Sequence, residues 1–140
     1  MKKRIFSILL CLCMAASLLP TAAFAAGNTI TPVANTWEAL SAAFNSAQNG
    51  DTVRLAGDIT TSTEIQTGIT LNKAVTLDFN GHTIHYNAVG KDIKERCGLF
   101  KLANGSCLTL KGSGGVALTG NNSALAHSYS GKLIIESGTY

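Results

Sequence analysis

The sequence predicts an all-β fold in which short parallel strands stack into a roughly triangular coil, with an amphipathic helix over one end. Three observations carry that expectation. The stretch at residues 74–84, Ala-Val-Thr-Leu-Asp-Phe-Asn-Gly-His-Thr-Ile, recurs as imperfect copies on both sides of itself. Apolar-x-apolar copies begin at Val53, Val75, Leu108 and Leu133, at intervals of 22, 33 and 25 residues. Intervals of this size belong to repeats that cannot bury their own apolar face and must stack on the next copy. Finally, the apolar starts Phe100, Leu108 and Val116 are eight residues apart, which divides one repeat into short sides joined by corners.

Within residues 74–84, Val75, Leu77 and Phe79 fall on one face and Thr76 and Asp78 on the other, the alternation of a half-buried strand. Asn80-Gly81 then supplies a bend. Ile69-Thr70-Leu71 and Thr83-Ile84 flank this strand, as Phe100-Lys101-Leu102 and Val116-Ala117-Leu118 flank Leu108. Corner chemistry lies between them at Asn72-Lys73, Asn104-Gly105, Gly112-Ser113-Gly114-Gly115 and Gly120-Asn121-Asn122. An antiparallel hairpin at Asn104-Gly105 is the competing arrangement. It would set Lys101 opposite Leu108 and leave neither face apolar, whereas the coil turns Phe100, Leu102, Leu108 and Leu110 inward. Two inward columns are expected: Val53, Val75, Leu108 and Leu133, and beside them Leu55, Leu77, Leu110 and Ile135. The long interval contains Tyr86 to Arg96, which reads as a loop thrown out from a regular turn. Its charged residues Lys91, Asp92, Lys94, Glu95 and Arg96 form a candidate partner-contact surface.

The segments outside the repeats have their own signals. Lys2-Lys3-Arg4, the apolar run from Ile5 to Leu19 and Ala23-Phe24-Ala25 make residues 1–25 a secretory signal peptide, with cleavage expected after Ala25. The run is shorter than the roughly 20 residues of a spanning helix. Cys11 and Cys13 lack the small preceding residue of a lipid-attachment site. Removing the leader takes away three of the eleven Lys and Arg residues and leaves eight basic against eight acidic ones. A neutral domain has no electrostatic reason to bind nucleic acid or an anionic membrane. Residues 26–35 read as an extended lead-in and residues 36–50 as the capping helix. There Thr36 is N-cap, Glu38 sits in the first turn, and Trp37, Leu40, Phe44 and Ala47 form one apolar stripe for packing. Residues 51–140 hold the repeats, with no capping element after Leu133 to Tyr140. Such an open edge invites pairing with another chain end to end, unless the natural protein extends further.

Cys97 and Cys107 are the two cysteines outside the leader, and in an oxidising compartment an even pair is a disulfide candidate. In the coil they start different sides of the triangle, separated by a strand rising about 3.3 Å per residue. Two separate thiols are the alternative.

Asn49-Gly50-Asp51-Thr52-Val53 after a Trp-containing helix, then residues 75–84, then Leu108-Thr109-Leu110-Lys111-Gly112-Ser113-Gly114-Gly115, together resemble the right-handed parallel β-helix proteins of the pectate-lyase-like class. More narrowly, they are similar to the N-terminal portions of large secreted or surface proteins of Gram-positive gut bacteria. The resemblance implies a short right-handed parallel β-helix of about three to four turns with an N-terminal amphipathic capping helix. It covers lyases, hydrolases and adhesins alike, so it speaks to architecture more than to function.

The chemistry of the lyases and hydrolases is not matched residue by residue. Arg54 precedes Leu55-Ala56 and Arg96 precedes Cys97-Gly98, so the Arg-x-Pro context of a lyase base is missing. Adjacent aspartates are missing too, and Gly81-His82-Thr83 matches only part of a hydrolase Gly-His-Gly. His82 and His85, three apart on a strand, point to opposite faces and do not form a metal pair. His127, near Ser128-Tyr129-Ser130, reads as a loop residue. Gly112 to Gly115 lacks the lysine and helix of a phosphate loop. No catalytic, metal or cofactor-binding residue is assigned. The expectation is a non-catalytic extracellular module, structural, adhesive or glycan-binding, whose partners are glycans or other surface proteins. The alternative is the N-terminal part of a polysaccharide lyase or glycoside hydrolase whose catalytic turns are missing.

Overall fold

The structure is a computed structural model that describes residues 27–61, 68–87, 97–120 and 123–140. The leader with Cys11 and Cys13, the charged segment Lys91, Asp92, Lys94, Glu95 and Arg96, and the Asn121-Asn122 corner lie outside the described residues. Among the described residues, one helix, α1 (Trp37–Ser46), accompanies eleven strands. The strands are β1 (Thr29–Ile30), β2 (Thr52–Arg54), β3 (Ile59–Thr60), β4 (Ile69–Leu71), β5 (Ala74–Asp78) and β6 (Thr83–Asn87). They continue as β7 (Cys97–Leu102), β8 (Cys107–Lys111), β9 (Gly115–Thr119), β10 (Ser123–Ser128) and β11 (Lys132–Ile135).

Every strand pair is parallel. The strands form three sheets, ordered β1-β2-β5-β8-β11, β3-β6-β9 and β4-β7-β10. From β2 onward the chain visits these sheets in rotation, so a strand never pairs with its neighbour in sequence. The fold is therefore all-β with three parallel sheets and one short helix. A hairpin at Asn104-Gly105 is not formed, because β7 and β8 belong to different sheets. At the corner after β5, Asn80 and Gly81 both have positive φ, 50° and 87°, and the His82 N–H donates to the Phe79 carbonyl at 2.9 Å. Two consecutive left-handed residues usually close a hairpin. Here they only redirect the chain, because β6 finds its partners in β3 and β9 instead. At the next corner a Cβ on Gly114 would lie 2.1 Å from the His82 carbonyl oxygen, so a side chain there would push successive corners apart.

The core follows the alternation. Val75, Leu77, Phe79, Ile84, Phe100, Leu102, Leu108 and Leu110 are all buried, while Thr76, Asp78, Lys101 and Thr109 are only partly covered. In the first sheet, β5 pairs β8 with Val75 beside Leu108 and Leu77 beside Leu110, and β11 adds Leu133 and Ile135 to those columns. The first copy differs from expectation. Val53 lies beside Leu77, not Val75, and Leu55 follows one step on, its N–H donating to the Asp78 carbonyl at 3.0 Å. A two-residue shift keeps every apolar side chain on the inner face, so hydrophobic alternation cannot detect it. Asp51 helps to set it: its carbonyl accepts from Thr76 N at 2.9 Å, and its buried carboxylate accepts from Asn28 N at 2.8 Å and Gln48 N at 2.7 Å. Ile135 also departs from expectation, remaining 51% exposed, because β11 is the last strand of its sheet.

Three further assignments change. Tyr86 belongs to β6, fully buried, rather than to the loop. His127 lies within β10, paired with Lys101 of β7, rather than in a loop. The lead-in contains β1, which pairs with β2. Its shortness hid it in sequence, as it hid β3.

Helix α1 begins where expected, with the Thr36 hydroxyl accepting from Ala39 N at 3.2 Å, and ends at Ser46. Ten residues do not sustain an isolated helix in water, so its stability comes from packing. Leu40, Ala43, Phe44 and the following Ala47 are buried in the core, with the Phe44 ring edge-on to Phe100 at 5.4 Å. Trp37 is half-buried, its ring 5.4 Å from that of Tyr86. The last turn carries no basic residue of its own. Lys73 supplies the cation instead, its Nζ donating to the carbonyls of Asn45 at 3.0 Å and Ala47 at 2.6 Å, where the helix dipole favours positive charge.

The β2–β5 register is open to a direct test. Thr52 and Thr76 are partners on the outer face, and parallel neighbours about 4.8 Å apart are close enough for a disulfide. Thr52→Cys/Thr76→Cys is expected to cross-link under mild oxidation, read as a mobility shift that reductant reverses. A register with Val53 beside Val75 would instead set Thr52 beside Ala74 and leave the pair unlinked.

Candidate functional site

The outer face of the five-stranded sheet carries an ordered polar surface. On it Thr29, Thr52, Thr76 and Thr109 stand side by side across four strands, and Ile134 continues the row on β11. Threonine suits this position because its branched carbon packs on a pleated surface while its hydroxyl stays available. The neighbouring row alternates in sign. Arg54 pairs with Asp78 and Asp78 with Lys111, and Glu136 falls next to Lys111, since its N–H donates to the Leu110 carbonyl at 2.9 Å. Arg54 Nε lies 3.5 Å from Asp78 Oδ2. Half of the Arg54 side chain is exposed, so an ion pair of this kind contributes little, about 0–1 kcal/mol. Its greater effect is on register, because a slip by two residues, which keeps every side chain on its own face, would set Arg54 beside Thr76.

Read along the chain, the copies are Thr52-Val53-Arg54, Thr76-Leu77-Asp78, Thr109-Leu110-Lys111 and Ile134-Ile135-Glu136. Alignment on the apolar pair alone conceals this threonine-apolar-charged pattern, since it sets Leu55-Ala56 rather than Val53-Arg54 against Leu77-Asp78. A charge is kept at this position in every copy, with its sign reversed from one strand to the next.

A second cluster sits at the corner leading into β6. Asp58 Oδ1 accepts from Thr83 N at 2.8 Å and lies 3.4 Å from His82 Nδ1. His82 is partly covered and His85 is exposed on β6 beside Thr60. The Thr83 amide holds the Asp58 carboxyl below its usual range; desolvation opposes it, and the His82 contact adds a further lowering. Among the described residues, no three His, Cys, Asp or Glu side chains converge to hold a metal ion.

Two clefts lie among the described residues. One of about 300 Å3 is lined by Thr83, Gly114, Gly115, Val116, Ala117 and Thr139, a lining of backbone and small side chains without a titratable group. The other, about 260 Å3, lies between the lead-in and α1, against Ile30, Pro32, Ala39 and Ala43, beside the almost fully exposed Val33. Neither cleft is lined by Cys107. Cys107 is a free, half-buried cysteine on β8 of the first sheet, while Cys97 begins β7 in another sheet.

Comparison with known protein families, with curated proteins and with solved structures finds no match.

Two measurements check this surface. A carboxyl whose folded pKa is depressed adds stability above its unfolded pKa and loses it as pH falls through the folded value. For Asp58, which starts from 3.8, the wild type is therefore expected to exceed Asp58→Asn in urea midpoint above pH 4. The gap should close as the solution is acidified below it. Thiol titration of a chain beginning at Ala26, under denaturing and non-reducing conditions, is expected to count both Cys97 and Cys107.

Proposed function

We propose that the chain is an exported, short right-handed parallel β-helix, capped at its first turn by α1, that acts as a non-catalytic module facing extracellular glycans or surface proteins. Support for the coil comes from the rotation of successive strands through three parallel sheets. Right-handedness follows the general rule that parallel crossovers take that hand in about 98% of cases. Export rests on the composition of residues 1–25.

One observation carries the non-catalytic reading. Each described aspartate is engaged in holding the backbone: Asp51 accepts from Asn28 N and Gln48 N, Asp58 from Thr83 N, and Asp78 from Asn80 N at 3.0 Å. Carboxylates that cleave glycosides must instead point at one scissile bond, about 5 to 9.5 Å apart across it. The flat outer face, with its threonine row beside balanced charges, offers hydroxyls and ion pairs in a repeat along one direction. That is the chemistry a polysaccharide chain presents in return.

The deciding experiment is a glycan-binding screen on the chain beginning at Ala26, with and without calcium, run beside lyase and hydrolase assays on the same glycans. Binding without turnover is expected. Thr76→Arg/Thr109→Arg should weaken it by about tenfold, equivalent to ~1.4 kcal/mol, with the fold retained by circular dichroism. Turnover of any glycan by the purified chain sinks the proposal.

A further inference from the structure

The last strand of the five-stranded sheet has a self-complementary sequence, Lys132-Leu133-Ile134-Ile135-Glu136. One side of β11 is satisfied by β8: the Lys132 and Glu136 N–H groups donate to the carbonyls of Ser106 and Leu110 at 2.9 Å each. In a parallel pair the residues that bond one neighbour alternate with those whose N–H and C=O face the other way. Leu133 and Ile135 therefore present their backbone groups along an edge to which the described residues add no further strand. The end of the core beside this edge is apolar and incompletely covered. Leu118, Leu125, Ala126 and Leu133 are only partly buried against it, and Ile135 is 51% exposed.

We propose that a second copy of this chain occupies the edge, its β11 antiparallel to the first across a twofold axis at Ile134. In that register Leu133 faces Ile135 of the second copy, and the two exchange both N–H···O=C bonds, twice over by symmetry. The backbone groups already facing outward are the ones this pairing requires. All four of these side chains point to the core side, so the two open apolar ends close on each other. On the outer face Lys132 meets Glu136 of the second copy, again twice. Moving the register by two residues in either direction breaks both charge pairs, so charge selects the pairing that the backbone allows. The contact is isologous and closes at two copies. It also continues the alternation of the charged row, since each Glu136 already stands beside Lys111 within its own chain. This inference does not depend on the glycan reading, and either can fail without the other.

Sedimentation equilibrium of the chain beginning at Ala26, over a concentration series, tests it. A monomer–dimer equilibrium with no larger species is expected. Lys132→Glu alone, or Glu136→Lys alone, sets like charges opposite each other and should raise the dissociation constant by about tenfold or more. The double exchange Lys132→Glu/Glu136→Lys should restore the dimer. Both side chains are exposed, so each variant is expected to keep the wild-type circular dichroism spectrum. A monomer at every concentration, open-ended oligomers, or a dimer indifferent to the single exchanges would each overturn the proposal.

Discussion

Backbone hydrogen bonds between strands about two dozen to three dozen residues apart hold this structure together, and the remaining features depend on them. Thr52 pairs with Thr76, Ala74 with Cys107 and Cys107 with Lys132, so from β2 onward the described strands do not pair with their neighbours in sequence. A single copy has neither a partner for its backbone nor a cover for its apolar face. Each copy becomes stable only through the next, and the register between them must hold over long loops whose closure costs entropy.

Different devices fix that register at different places. Asp51 ties the lead-in, the segment after α1 and β5 through its carboxylate and its own carbonyl. Lys73, from the segment before β5, reaches back to the last carbonyls of α1. Arg54, Asp78, Lys111 and Glu136 discriminate against slips on the outer face without contributing much stability individually. The polar groups that would first be considered for chemistry are thus those that align the copies.

The corners show how context decides the outcome of a local signal. Asn80-Gly81 has the backbone geometry of a hairpin turn, yet the flanking strands lie in separate sheets. Pairing β6 with β3 and β9 buries Ile84 and Tyr86 completely, which outweighs the local preference for a hairpin. The same competition explains Tyr86, whose aromatic side chain next to a charged stretch reads as loop until Trp37 is seen against its ring.

Much of the architecture was legible in the residues. Period-two alternation identified β5, β8 and β11, and the stripe Trp37, Leu40, Phe44 and Ala47 identified α1, because both follow from the geometry of a single element. The spacing of the copies was enough to indicate stacking in parallel. The partner of Val53 was not legible, since a two-residue shift leaves every side chain on its own face and only Asp51 and the charged row distinguish the alternatives. Nor were β1 and β3, which are too short to show a pattern and exist only as extensions of existing sheet edges. By itself the sequence determined which residues face inward, because alternation is a property of one strand. Which residues stand side by side was decided by tertiary structure, because register is a relation between segments that meet only when the chain has folded. The threonine row, the charge row and the self-complementary edge at β11 all belong to that second kind.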